Sequence, residues 1–372
     1  MDFALSEEQE LLAASLRRFL EEECPVARVR ELVARESGHD GGAWKRLAEL
    51  GVAGLLVPEA HGGSGLGLLD AAVAAESLAW GVAPAPFLGC AVLAPVALLS
   101  AGSAEQQARW LPRLATGDVR MAVAASELVA RRDGSGVEVR DGKLHGLALM
   151  VEGGPYAEAF VVPTGQGESL ALVDARAPGV ACTRLETIDR TRAFAELRFE
   201  GAKPAEWLGE PGSAAPACRR VLDAGRVVLA ADLLGASERA LELAVTYAGQ
   251  RKQFDRVIGS FQAGKHLCAE MVAELEPARA LVWYAAHAFD AVPEEASLVA
   301  SHVKAHLAEV GTQIVRTATE VHGGVGFTDE QNLHLWFKRV GVDRQLLGGP
   351  EALRDDAARL QGWTPHQWRG DV

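Results

Sequence analysis

The sequence predicts an α+β protein in which two helical blocks flank a small β-block. Three observations carry this. Ala and Leu dominate a composition that is 49% hydrophobic and only 6% aromatic, which favours helix over most of the chain. Residues 1–118 and 212–372 carry helical spacing and caps. Between them, residues 119–211 break into short β-prone runs separated by Gly, Pro and Asp. At 372 residues the chain is long enough for three such units with substantial cores.

The elements follow in order. Ser6 and Gln9 form a capping-box pair, after which Leu12, Leu16, Phe19 and Leu20 share one helical face. "GGAWKRLAELGVAGLLVPEAHGGSGLG" (41–67) reads as a helix, a short extended piece and a glycine-rich loop. Ser77 to Ala104 carries no charge and is long enough to span a bilayer, but Pro84, Pro86 and Pro95 break it, so a buried helix–loop–helix is expected instead. Ser103 caps the next helix. The runs 136–151, 159–165, 169–175 and 193–202 predict a β-sandwich or barrel. A long, buried helix is expected within 214–254, and a second over 294–324, stopping at a Gly-Gly pair.

Charge and cysteine usage exclude some functions. A net charge of −13 and a pI near 5.3 argue against a nucleic-acid groove, which needs clustered Lys and Arg. Cys24, Cys90, Cys182, Cys218 and Cys268 are scattered and odd in number, as expected of free thiols in a cytoplasmic protein. The opening "MDFALSEEQELL" is acidic and runs directly into a helix, so no secretory leader is expected. The histidines show no metal-ligand spacing, and no P-loop, nucleophile elbow or dinucleotide fingerprint is present.

Two stretches carry chemistry. "YAGQRKQFDRVIGSFQAGKH" (247–266) sets Arg251 and Lys252 beside Phe254, able to hold a phosphate and pack an adenine; a solvated basic helix end has the same composition. "VHGGVGF" (321–327) is a Gly-rich turn that either approaches a phosphate or simply ends a helix.

The order and wording of "LAELGVAGLLVPEAHGGSGLG" (47–67), "YAGQRKQFDRVIGSFQAGKH" (247–266) and "VHGGVGFTDEQNLHLWFKR" (321–339) resemble the acyl-CoA dehydrogenase family over essentially the whole chain. The resemblance implies a helical N-terminal domain, a middle β-domain and a C-terminal four-helix bundle, assembled as a dimer or tetramer. It implies FAD as cofactor, an acyl-CoA thioester as substrate and an electron-transfer flavoprotein as acceptor. A carboxylate removes the α-proton while flavin accepts the β-hydrogen as hydride. Arg251, Gln253 and Phe254, with Gln262 and His266, match the stretch that a subunit extends to its neighbour's FAD. Gly323 and Gly324 match glycines beside the same ADP moiety, and Arg226 matches an arginine that helps place the acyl-CoA.

Other positions depart from the family pattern. Its "TEPxxGSD" loop reads "ASELVARRDGSG" (125–136), Met150 and Glu152 stand where Trp and Thr face the flavin ring, and Glu320 replaces a Gln. Above all, both positions where members keep the catalytic Glu hold glycine, Gly348 and Gly225. Asp223 and Glu351 are nearby carboxylates, but helical spacing turns them off the required face, as surface or capping groups. The pattern is that of a base-lacking subunit that completes the FAD site of a second acyl-CoA dehydrogenase subunit. Two other readings stand beside it: an active homomeric dehydrogenase with Asp223 as relocated base, and a flavin-free binding or scaffold protein on the same fold.

Overall fold

The computed structural model describes residues 4–35, 38–129 and 134–363. Four residues of the 125–136 loop (130–133) lie outside the described residues.

The N-terminal part is helical: α1 (Glu7–Glu23), α2 (Val26–Ala34), α3 (Gly41–Glu49), α4 (Leu68–Trp80), α5 (Ala94–Ala101) and α6 (Ala104–Ala115). Ser6 caps α1 and Ser103 caps α6, each in a reciprocal box with the Gln three residues on. Residues 52–61 depart from the extended piece expected there and wind into two 3₁₀ turns. The chain doubles back so tightly that a Cβ on Gly63 would lie 2.1 Å from Val57 O. The apolar stretch 77–104 is a buried helix–loop–helix. Pro84 and Pro86 lie in its loop, whereas Pro95 sits where a π-helical turn (Leu88–Leu93) passes into α5 and does not break it. Among the described residues, no helix is long and apolar enough to cross a membrane.

The middle part is a sandwich of two four-stranded sheets. Strands β1 (Met121–Val123), β4 (Ala159–Thr164), β5 (Ser169–Asp174) and β8 (Glu206–Leu208) form one sheet, with β1 parallel to β4. Strands β2 (Gly136–Arg140), β3 (Lys143–Glu152), β7 (Phe194–Ala202) and β6 (Val180–Leu185) form the other. Strand β4 is buried throughout because its alternation serves two cores. Phe160 and Val162 face the second sheet, while Ala159 and Val161 join the core shared with the helices.

The C-terminal part is built on α7 (Ala215–Gln250), α8 (Gln262–Ala291) and α9 (Pro293–His322), with α10 (Leu333–Asp343) and α11 (Pro350–Leu360) packed on them. A small hairpin of β9 (Lys252–Gln253) and β10 (Arg256–Val257) separates α7 from α8. Helix α7 is buried along most of its first 23 residues, where it also meets α4. A Cβ on Gly235 would fall 1.9 Å from Glu76 O, so only glycine allows that approach.

A buried ion cluster fastens the β-sandwich to the bundle. Arg339 on α10 grips Asp232 on α7 through two bonds, 2.8 and 2.6 Å long. Arg192, on the loop entering β7, pairs with Asp343 at the end of α10 and with Asp189 at 3.2 Å. Burial alone would push the Asp232 carboxyl up, but Arg339, aided by Arg192, holds it down at about 2. Replacing Asp232 by Ala would leave the Arg339 guanidinium buried without its paired carboxylate, at a cost of about 3–5 kcal/mol. Denaturant unfolding of Asp232→Ala checks this, since a change below about 1 kcal/mol would mean that the cluster is not a fastening.

Candidate active site

Gly225 and Gly348, the two glycines expected at the family's base positions, meet in space although 123 residues apart in sequence. Gly225 lies mid-helix in α7, and Gly348 lies in the turn between α10 and α11. Leu347 connects them: a Cβ built on Gly225 would lie 2.5 Å from Leu347 Cδ1 and 2.9 Å from Leu93 Cδ2. The backbone of this turn is left-handed, with φ +57° at Leu347 and +114° at Gly348. A leucine in that region costs about 1–3 kcal/mol and is held only where its surroundings demand it. Two such holds are visible. Arg226 Nε donates to Leu347 O at 3.3 Å, and the buried Lys304 Nζ donates to Asp343 O at 2.6 Å.

A cavity of about 390 Å³ opens beside the turn, lined by Ser126, Val129 and Met150 from the sandwich and by Gln345 to Gly349 from the turn. No titratable side chain lines it among the described residues. Glu152, two residues from Met150, turns away from it. A bulge between Ala148 and Val151 and a φ of +53° at Met150 put the two side chains in different surroundings. The Glu152 carboxylate accepts from Gly89 N at 3.1 Å and lies in a void of about 20 Å³ with Arg192, Asp232 and Arg339. Burial pushes it up to about 7 despite Arg192 and the Gly89 N–H.

Asp223 is not the surface or capping carboxylate expected from its spacing. It is 3% exposed, accepts from Ser297 Oγ and pairs with Arg219 at 3.0 Å. Burial raises its pKa more than Arg219 and Ser297 lower it. It faces a second cavity of about 720 Å³, between α5, the start of α7 and the α8–α9 turn, which shares no lining residue with the first. Glu351, by contrast, is exposed in the first turn of α11, 3.6 Å from Arg344. Arg226 is buried and committed inside the chain, 2.6 Å from Asp356 and 3.0 Å from Ser301 Oγ.

The remaining candidates gather at the far end of the bundle. Stacking of Tyr247 on His322, with ring centroids 4.5 Å apart, joins the last turns of α7 and α9. It thereby places the hairpin after α7 beside the Gly323–Gly324 turn. Arg251, Gln253, Phe254, Gln262, His266, Gly323 and Gly324 are all exposed. The hairpin turns on Phe254 and Asp255, both left-handed, a geometry that normally selects Asn-Gly. It presents a Phe254 ring that is 88% exposed, and Arg256 lies 3.8 Å over Phe261 behind it. Phe327, at the end of the glycine turn, is 82% exposed. Two bare phenyl rings on strained or glycine-rich backbone make a surface built for contact. Glu320 is also exposed there. No sequence pattern singles out Leu93, Leu347 or Asp356, whose roles come from contacts across the fold.

Glu152 supplies a pH test. The folded group keeps its proton to about 7, whereas the unfolded one releases it near 4.5, so its contribution to stability falls as pH rises between those values. Glu152→Gln removes this penalty. Its stability relative to the parent should rise by up to about 3 kcal/mol from about pH 4 to about pH 8, measured by urea unfolding, and a flat difference would contradict the buried carboxyl.

Comparison with known proteins agrees with this architecture. Family models described as "Acyl-CoA dehydrogenase, N-terminal domain" and "Acyl-CoA dehydrogenase, C-terminal domain" match residues 6–118 and 216–361. Acyl-CoA dehydrogenase IpdE2 of Mycobacterium tuberculosis is 35% identical over 94% of this chain and 96% of its own length. The ChsE4–ChsE5 complex of the same organism contains a chain with TM-score 0.89 and 30% identity, covering 98% of this chain and all of that one. A Tcur3481–Tcur3483 steroid ACAD variant gives 0.86 and 30%, covering 96% of this chain and 98% of that one. Sequence, fold and motif order agree, and the chain belongs to the acyl-CoA dehydrogenase family.

Proposed function

We propose that this chain is a base-lacking subunit that completes the FAD site of a second, carboxylate-bearing acyl-CoA dehydrogenase subunit, and that the pair desaturates an acyl-CoA at the α,β position. The observation that supports it most is the cavity beside Gly348, whose described lining has no group able to take a proton. Proton abstraction needs a carboxylate within hydrogen-bond reach of the substrate, and glycine cannot replace one. Asp223 is engaged by Arg219 and Ser297 and faces another cavity, which weighs against a relocated base.

The exposed tip has the donor set that a dinucleotide calls for. Arg251 offers a guanidinium for a pyrophosphate, and Gly323, with φ +65° and no atom within 4 Å of a built Cβ, leaves its backbone open to close approach. Phe254 and Phe327 offer apolar faces to the ligand or to the subunit carrying it. FAD, when bound there, supplies the hydride acceptor. The residues of this chain hold and orient it, and the partner supplies the base. The similar ChsE4–ChsE5 complex and Tcur3481–Tcur3483 steroid ACAD, each named for two proteins, support a paired architecture.

Three outcomes are expected. Co-expressed with its partner, the chain should give one FAD per two subunits, while the chain alone is colourless; one FAD per subunit in the isolated chain would overturn the proposal. Arg251→Ala should weaken FAD retention by the pair about ten- to hundredfold, the loss expected of one charge-assisted hydrogen bond, as read by equilibrium dialysis. In the same preparation Asp223→Asn should leave turnover in place, where a relocated base demands its loss.

A further inference from the structure

We propose that Leu347, backed by Leu93, is a steric plug that closes this chain's own site to an acyl chain. The inference rests on the base-lacking reading above and deepens it. Absence of a carboxylate would be a lesion that one substitution repairs, whereas a plug is a built feature.

The geometry has three parts. The two leucine side chains converge on Gly225 from two sides, at 2.5 and 2.9 Å from a built Cβ, so the space that a side chain at 225 would use is already filled. Both leucines are 3% exposed, which makes them part of the packed interior. Leu347 reaches this place only because its backbone is left-handed, and that conformation is pinned by Arg226 Nε on its carbonyl. Arg226 is in turn fixed by Asp356 and Ser301. Gly348 is closed by the same turn: its φ of +114° disfavours any side chain, and a Cβ there would meet Leu353 at 3.2 Å. An acyl group lying between the two base positions would need the volume that Leu347 occupies.

The sign of one substitution decides the matter. In an open helix interior Gly→Ala raises stability. Here Gly225→Ala should lower the melting temperature of the full chain by about 2–4 °C, because the interior is overpacked. In a Leu93→Ala/Leu347→Ala background the same substitution should raise it. A stabilising Gly225→Ala in the parent, or equal effects in both backgrounds, would overturn the plug.

A second measurement addresses the acyl group directly. Hexanoyl-CoA should stabilise Leu347→Ala more than CoA does, while the parent chain alone responds equally to both. A parent chain that already prefers hexanoyl-CoA would overturn the proposal. Neither measurement depends on flavin. A shared FAD with no sign reversal would remove the plug alone, and sign reversal in a chain that binds its own FAD would remove the base-lacking reading alone.

Discussion

The buried ion cluster around Asp232 is the constraint on which the rest of the molecule depends. It joins one loop of the sandwich to two helices of the bundle, with no water-exposed member to weaken it. Desolvating so many charges is costly, and such an arrangement is repaid only when each carboxylate meets a guanidinium in good geometry. Arg339 achieves this with a two-bond grip on Asp232 and a further bond to Ala83 O at 3.1 Å. The relative position of sandwich and bundle is thereby set, and so is the cavity between them. Asp343, the last residue of α10, carries the constraint into the turn that holds Leu347 and Gly348.

The fate of polar groups follows from that framework. Glu152 stands where the family's flavin-facing Thr is expected, yet it is drawn to the cation side of the interface. Arg226 stands where a substrate-placing arginine is expected, yet its donors go to Asp356, Ser301 and Leu347 O. In both cases a side chain from a site position has become part of the internal packing. At the other end of the bundle the opposite holds. The hairpin and the glycine turn leave their cations, amides and phenyl rings outside, where another subunit can meet them. This contrast between a packed interior and an exposed tip is what the proposed role of completing a site on another subunit calls for.

Much of this was legible in one dimension. Capping boxes at Ser6 and Ser103, the apolar spacing of α7 and α9, and the β-prone runs of β4, β5 and β7 each have a local cause. The glycines at 225 and 348 were legible too, since a glycine has no proton acceptor wherever it lies. Other features were not. Strand β6 is mostly exposed and has no alternation to betray it; pairing with β7 makes it a strand. Residues 52–61 look extended by composition, and close backbone contact winds them into turns. Asp223 looked like a surface carboxylate because helical spacing says nothing about what packs against each face.

The sequence by itself determined the class of the chain and the order of its parts, because these depend on residue type, spacing and local propensity. Only the tertiary structure decided that residues 93, 225 and 347 share one place, that Arg226 faces inward, and that Asp223 and Gly348 belong to different cavities. Those facts are contacts between distant segments, fixed by packing density and by where buried charge finds its partner, and no local pattern encodes them.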